Sequence, residues 1–122
     1  STRTLVHAGA GHPAAALYGD QNSLEAEPTL LESTGPPVGF GPGMGFDNVT
    51  TTLATGAKLF VFSDGAFEIQ CLSGETWTQT EMLAYLSTRQ SADTLDNLLT
   101  YIATLHGPGA LDDDCSILQC DF

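Results

Sequence analysis

An apolar run ends in an acid-glycine pair, Leu59-Phe60-Val61-Phe62-Ser63-Asp64-Gly65, and is answered later in the chain by three acids, Asp112-Asp113-Asp114. Asp64 leaves the end of one predicted strand, while the acid run precedes the start of another. Neighbouring strands with that polarity bring their acids to one edge of a sheet, where two or three carboxylates can hold a hard divalent cation. Metal-dependent chemistry is therefore the first expectation. Gly65 lets the backbone turn sharply and leaves room beside the carboxylate for a hydrated ion. Taken alone, an Asp-Gly pair after a strand is a common turn, and an acid run is a solvated loop. Three adjacent carboxylates repel one another, however, and a bound cation relieves that repulsion.

Other candidates are weaker. His12, in Ala10-Gly11-His12-Pro13, sits in a tight turn with no second histidine at a ligand spacing, so a hydrogen-bonded structural role is favoured over a metal or acid-base role. His7 reads as structural, and His106 is accounted for by the helix end it occupies. The glycine-rich stretch from 35 to 45 matches neither GxGxxG nor GxxxxGK[ST], so it is no phosphate cradle. No Gly-x-Ser-x-Gly elbow or Cys/His pairing supports a covalent nucleophile.

The elements that must position these acids read as one α+β domain spanning residues 1–122. Residues 4–10 lean to strand, Gly9, Gly11 and Pro13 force a turn, and 14–18 reads as the return strand. A polar loop precedes a short strand at 29–31, and the Gly/Pro-rich segment then excludes regular structure. Residues 49–53 and 57–62 are expected to pair as a hairpin, the second being a central strand because it is apolar on both faces. Thr78 to Glu81 forms a capping box ahead of Met82, Leu83 and Leu86. Ser91 caps a second helix carrying Leu95, Leu98, Leu99, Ile102 and Leu105, which stops at Gly107-Pro108. Residues 116–120 close the chain as a strand. Strands, then two late helices, then a strand indicate α+β rather than an alternating parallel order.

Composition narrows the partners. With 15 Asp+Glu against 3 Lys+Arg and a formal charge of -12, the chain cannot form a basic stripe, which excludes nucleic acid and anionic membrane as direct partners. Cys71, Cys115 and Cys120 lack CxxC spacing and read as buried thiols, with Cys115 and Cys120 facing opposite sides of one strand. With no signal-peptide pattern and no long apolar stretch, a cytoplasmic setting is expected.

In order, Ala10-Gly11-His12-Pro13-Ala14-Ala15-Ala16-Leu17, Gly35-Pro36-Pro37-Val38-Gly39, Gly56-Ala57-Lys58 through Asp64-Gly65, and Asp113-Asp114-Cys115-Ser116 resemble the C-terminal half of a SpoIIE-type metal-dependent protein phosphatase of the PPM superfamily. The resemblance covers almost the whole chain. It implies part of an αββα sandwich with mostly antiparallel strands. It also implies a binuclear Mn²⁺ or Mg²⁺ site that activates water for attack on phosphoserine or phosphothreonine, often on anti-sigma-factor antagonists. Asp64 matches the family's metal-binding Asp-Gly acid, Asp113 the first acid of the final motif and Asp114 the position after it, with a slip to Asp112 left open by the run of three. No protein nucleophile is then needed.

The family's domain is longer. Its first strands, with the acid that bridges both ions, are not matched by this sequence, and the segment after Gly65 is short. Two or three carboxylates cannot fill two coordination shells of about six oxygens each. The sequence thus reads as part of a catalytic domain, with two rivals: a non-catalytic regulatory module on the same scaffold, and a small acidic cation-binding domain of other ancestry. A sheet lacking half its strands would expose apolar surface around residues 57–62 and open strand edges. The isolated chain is accordingly expected to associate, with a missing N-terminal half or with a second copy. Sedimentation checks this, and a stable compact monomer would mean that the sheet is complete as it stands.

Overall fold

Leu59, Phe60, Val61 and Phe62 can all be buried only if cover comes from both sides, and the architecture supplies it. The structure, a computed structural model, describes residues 3–19, 27–88, 91 and 93–122. The polar loop expected after Tyr18 lies largely outside them. The strands are β1 (Arg3–His7), β2 (Ala15–Tyr18), β3 (Thr29–Leu31), β4 (Val49–Leu53), β5 (Lys58–Phe62), β6 (Ile69–Gln70), β7 (Thr76–Trp77) and β8 (Ile117–Asp121). The helices are α1 (Gln79–Thr88) and α2 (Thr94–His106). A four-stranded antiparallel sheet has the order β3-β2-β5-β8, β1 pairs with β4, and β6 with β7. The fold is α+β with antiparallel sheets and two late helices, as a portion of an αββα sandwich requires.

Two apolar clusters follow the alternation of strand side chains. Ala16, Tyr18, Phe60 and Phe62 face Met82, Leu86, Leu98 and Ile102 of the helices. Leu17, Leu59 and half-buried Val61 face the opposite way and pack with Leu53 and Leu5 of the β1–β4 pair. The chain is therefore layered, with the small pair on one face of the four-stranded sheet and both helices on the other. Tyr18 meets Phe60 edge-on at 5.7 Å and donates its hydroxyl to the Leu83 carbonyl at 2.9 Å. Burial pushes the Tyr18 phenol up from its ordinary pKa, against a lowering hydrogen bond with Ser87, so it remains a neutral donor.

Two pairings expected from the sequence are corrected. Residues 14–18 are not the return strand of 4–10, because β1 pairs with β4 while β2 joins β3 and β5. Residues 49–53 and 57–62 are not a hairpin either. The tight turn forms, with Ala57 N–H donating to the Ala54 carbonyl at 3.2 Å and Gly56 at φ 80°, but it carries the chain from one layer to the other. Both edges of β5 are taken by β2 and β8, which leaves no place for β4 beside it.

The helix ends are largely as the sequence indicates. Glu81 Oε2 accepts the Thr78 N–H at 2.7 Å, closing the capping box at α1. Gly107, at φ 83°, returns its N–H to the Ala103 carbonyl at 3.0 Å and ends α2. Ser91 caps differently from expectation: its backbone N–H and carbonyl both bond the buried Thr94 hydroxyl at 2.7 Å. Leu99 is exposed rather than part of the buried stripe, which runs through Leu98 and Ile102 with Leu95 and Leu105 half-buried. The three cysteines are free and half-buried, not fully buried, and Cys115 and Cys120 do pack into opposite clusters.

The apolar exposure expected around residues 57–62 is not found, since Phe60 and Phe62 are 0% and 2% exposed and Leu59 is also buried. Exposed apolar side chains lie elsewhere, as Val38 and Phe40 in the Gly/Pro-rich segment, Val6 and Val49 on the β1–β4 pair, and Leu118 on β8. No helix among the described residues is long and apolar enough to cross a membrane. Phe60→Ala is expected to cost about 3–5 kcal/mol of unfolding free energy, whereas Leu118→Ala should stay within about 0.5 kcal/mol. Urea denaturation of the two variants measures both.

Candidate metal-binding edge

The site is built where β5 stops and β8 starts. Phe62 pairs with Ile117, so the residues that follow Phe62 and those that precede Ile117 meet at one end of the sheet. A side-chain clip fixes the meeting. Ser63 donates its hydroxyl to the Asp114 carbonyl at 2.9 Å, while Ser116 N–H donates to the Ser63 hydroxyl at 3.0 Å and Ser63 N–H to the Ser116 carbonyl at 2.9 Å. After Ser63 the chain enters a short 3-10 turn, Asp64–Ala66.

Gly65 proves necessary for a reason other than the one expected. Its φ is not positive, and the space beside it is filled by the backbone of the acid run, not left open for an ion. A Cβ there would come to 2.8 Å from the Asp114 carbonyl carbon and 3.3 Å from that of Asp113, and closer still to the Asp114 oxygen. The glycine allows the two acid-bearing segments to touch.

Asp64, Asp112, Asp113 and Asp114 are all exposed. Asp64 Oδ1 accepts the Gly65 N–H at 3.0 Å, and Asp113 Oδ1 accepts the Asp114 N–H at 2.8 Å, each a local bond that orients the carboxylate. Asp112 and Asp113 line an open cleft of about 540 Å³ together with Glu68, Gln79 and Trp77, whereas Asp64 and Asp114 lie outside that lining. Among the described residues, no group of three or more His, Cys, Asp or Glu side chains is close enough to hold an ion. Carboxylate oxygens are the right donors for Mg²⁺ or Mn²⁺, but the set is short of one complete shell.

Charge is handled differently at the two ends of the β5–β8 ladder. Lys58, at the far end, bonds Asp121 at 2.7 Å and, with Gln119, holds that carboxyl below its ordinary pKa. Burial raises the Cys115 thiol beside the acid run, which makes it a poor nucleophile. His12 is a turn residue, with Nδ1 at 2.9 Å from the Pro13 carbonyl and its own carbonyl accepting from Ser33 at 2.8 Å. His106 Nδ1 lies 3.3 Å from the Gly107 carbonyl at the end of α2. His7 differs from the structural role expected of it, since both ring nitrogens are buried with no partner among the described residues.

The sequence reading gave no role to Ser63, Glu68 or Gln79. Ser63 was visible as part of the Ser-Asp-Gly run, and Glu68 as an acid one helical turn after Asp64. Gln79, whose buried Nε2 has no partner among the described residues, belongs to the capping segment of α1 and is brought to the cleft by the β6–β7 hairpin, which the sequence did not reveal either.

Similar folds occur in solved structures. The SiaA-PP2C domain of Pseudomonas aeruginosa matches with a TM-score of 0.77 and 22% identity over 98% of this chain and 47% of that one. The RsbU and RsbW domains of a Mycobacterium tuberculosis protein match with a TM-score of 0.68 and 22% identity, over 98% of this chain and 32% of that one. The phosphatase domain of the cell fate determinant SpoIIE from Bacillus subtilis gives 0.64 and 16%, over 99% of this chain and 56% of that one. The chain thus spans about half the length of the first of these, 47%. No curated protein matches the sequence. The family model of Stage II sporulation protein E covers residues 1–122, which overturns the rival of an acidic domain with separate ancestry. The chain belongs to the SpoIIE family, whose model spans all of its residues.

Proposed function

We propose that residues 1–122 are part of a protein serine/threonine phosphatase domain that hydrolyses phosphoserine or phosphothreonine on a regulatory protein, such as an anti-sigma-factor antagonist, in a cytoplasmic setting. Asp64 and Asp113, with Asp114 or Asp112 as neighbour, are the metal ligands in this reading, and Mn²⁺ or Mg²⁺ is the ion. The observation that carries it is the Ser63 clip, which joins the Asp-Gly turn to the acid run at one end of the sheet. The Bacillus subtilis neighbour was presoaked with Mn, which agrees with the choice of ion.

Two such ions, when bound, supply an activated water and neutralise charge on the phosphoryl group. The chain's own part is positional. Asp64 and Asp113 present oxygen donors oriented by the backbone N–H groups of Gly65 and Asp114. Ser63 keeps the two segments in register, and the missing Cβ of Gly65 lets them come into contact. The further oxygens that two ions need come from the remainder of the domain. A non-catalytic module is the second reading, favoured by the lack of a three-ligand cluster among the described residues.

In the longer parent domain, Asp64→Asn is expected to lower aryl phosphate turnover by more than about 100-fold, the upper range for loss of an outer-shell group. Parallel calorimetric titration with Mn²⁺ should show the matching loss of affinity. A parent that binds no Mn²⁺ and shows no turnover favours the non-catalytic module. The 122-residue chain alone should bind Mn²⁺ weakly and turn over negligibly, and robust metal-dependent hydrolysis by it would overturn the half-site argument. Gly65→Ala in the parent should reduce activity, because the added Cβ would meet the Asp114 backbone, and steady-state kinetics on the variant would reveal it.

A further inference from the structure

A second cleft, of about 440 Å³, lies between the β6–β7 hairpin and helices α1 and α2. Trp77 and Thr76 line both this groove and the cleft that holds Asp112 and Asp113, so the two adjoin across Trp77. The groove is aromatic: Tyr101 stacks on Tyr85 with centroids 4.7 Å apart and planes at 19°, and meets Trp77 edge-on at 5.7 Å. It is also acidic, because Glu75 and Glu81 line it and no Lys, Arg or His does among the described residues. Glu81 Oε2 is engaged in the α1 cap, while Glu75 is exposed.

We propose that this groove docks a lysine or arginine side chain of the phosphoprotein substrate, beside the segment that carries the phosphate. Charge complementarity selects the occupant. The chain bears -12 with 3 Lys+Arg, and aromatic rings beside carboxylates attract a cation both through the ring quadrupole and through ion pairing. Arginine adds planar stacking and a forked donor set that suits a glutamate. An acidic segment would be repelled, and a purely apolar one would leave Glu75 facing it without compensation. Packing of the helices accounts for Trp77, which is 6% exposed, and the α1 cap for Glu81, but neither accounts for Glu75 beside an open aromatic groove. That the docked chain is the substrate rests on the phosphatase reading above; the preference for a cation does not.

Trp77 is the sole tryptophan and lines both recesses, so its emission reports binding at either, and Glu75, which lines the groove alone, assigns the signal to the groove. The purified chain, in metal-free buffer, is titrated with an acetylated, amidated arginine peptide and with its citrulline counterpart, which has the same shape without the charge. The arginine peptide should give a saturable change in Trp77 emission that weakens with added salt, with affinity at least about threefold above that for citrulline. The exposed Glu75→Gln should remove most of that difference. Equal responses to both peptides, or none up to the order of 10 mM, would overturn the proposal. The signal needs neither ion nor turnover. A binding groove in an inactive parent would therefore count against the phosphatase reading alone, and a silent groove in an active parent against this proposal alone.

Discussion

Strand β5 is the constraint on which the other elements depend. Phe60 and Phe62 turn to one face and Leu59 and Val61 to the other, and each large side chain taken from water contributes roughly 1.5–3 kcal/mol. Neither face can be left to solvent. The helices cover one, the β1–β4 pair covers the other, and β2 and β8 take both hydrogen-bonding edges. The layer order of the chain is the arrangement that satisfies all four demands together.

Centring β5 has a chemical consequence. Its end falls next to the beginning of β8, so the Asp-Gly turn and the acid run meet with no ion pair between them among the described residues. The hydroxyl of Ser63 and the missing side chain of Gly65 bring them together, one by bonding and one by leaving space. Such contacts are uncharged and short-ranged, and they leave the carboxylates exposed. At the far end of the same ladder, Lys58 neutralises Asp121 instead.

The β6–β7 hairpin gives the short segment after Gly65 a purpose that its length conceals. Strands of two residues each have little stability of their own, and this pair is held by Trp77 and Ile69 in the helix-side cluster. Through Trp77 it forms the partition between the acid-edged cleft and the aromatic groove. Packing on that one side chain therefore sets the separation of the two recesses.

What the sequence determined by itself was local or periodic. The double-faced apolar run marked β5 as central, the Thr78–Glu81 box and Gly107 marked helix ends, and the ordered Asp-Gly and acid-run motifs marked the edge and the family. These signals reside in neighbouring residues, where backbone preference and side-chain alternation act directly. Strand partners did not follow, because two strands joined by a turn pair only when no other strand competes for the same edge, and β2 and β8 occupy both edges of β5. Nor did the reason for Gly65, since its neighbour in space is Asp114, far along the chain. The partnering of β1 with β4, the exposure of Leu99 and the joining of Trp77 to Tyr101 were likewise decided by tertiary packing, in which each face is allotted only after the whole set of layers has been filled.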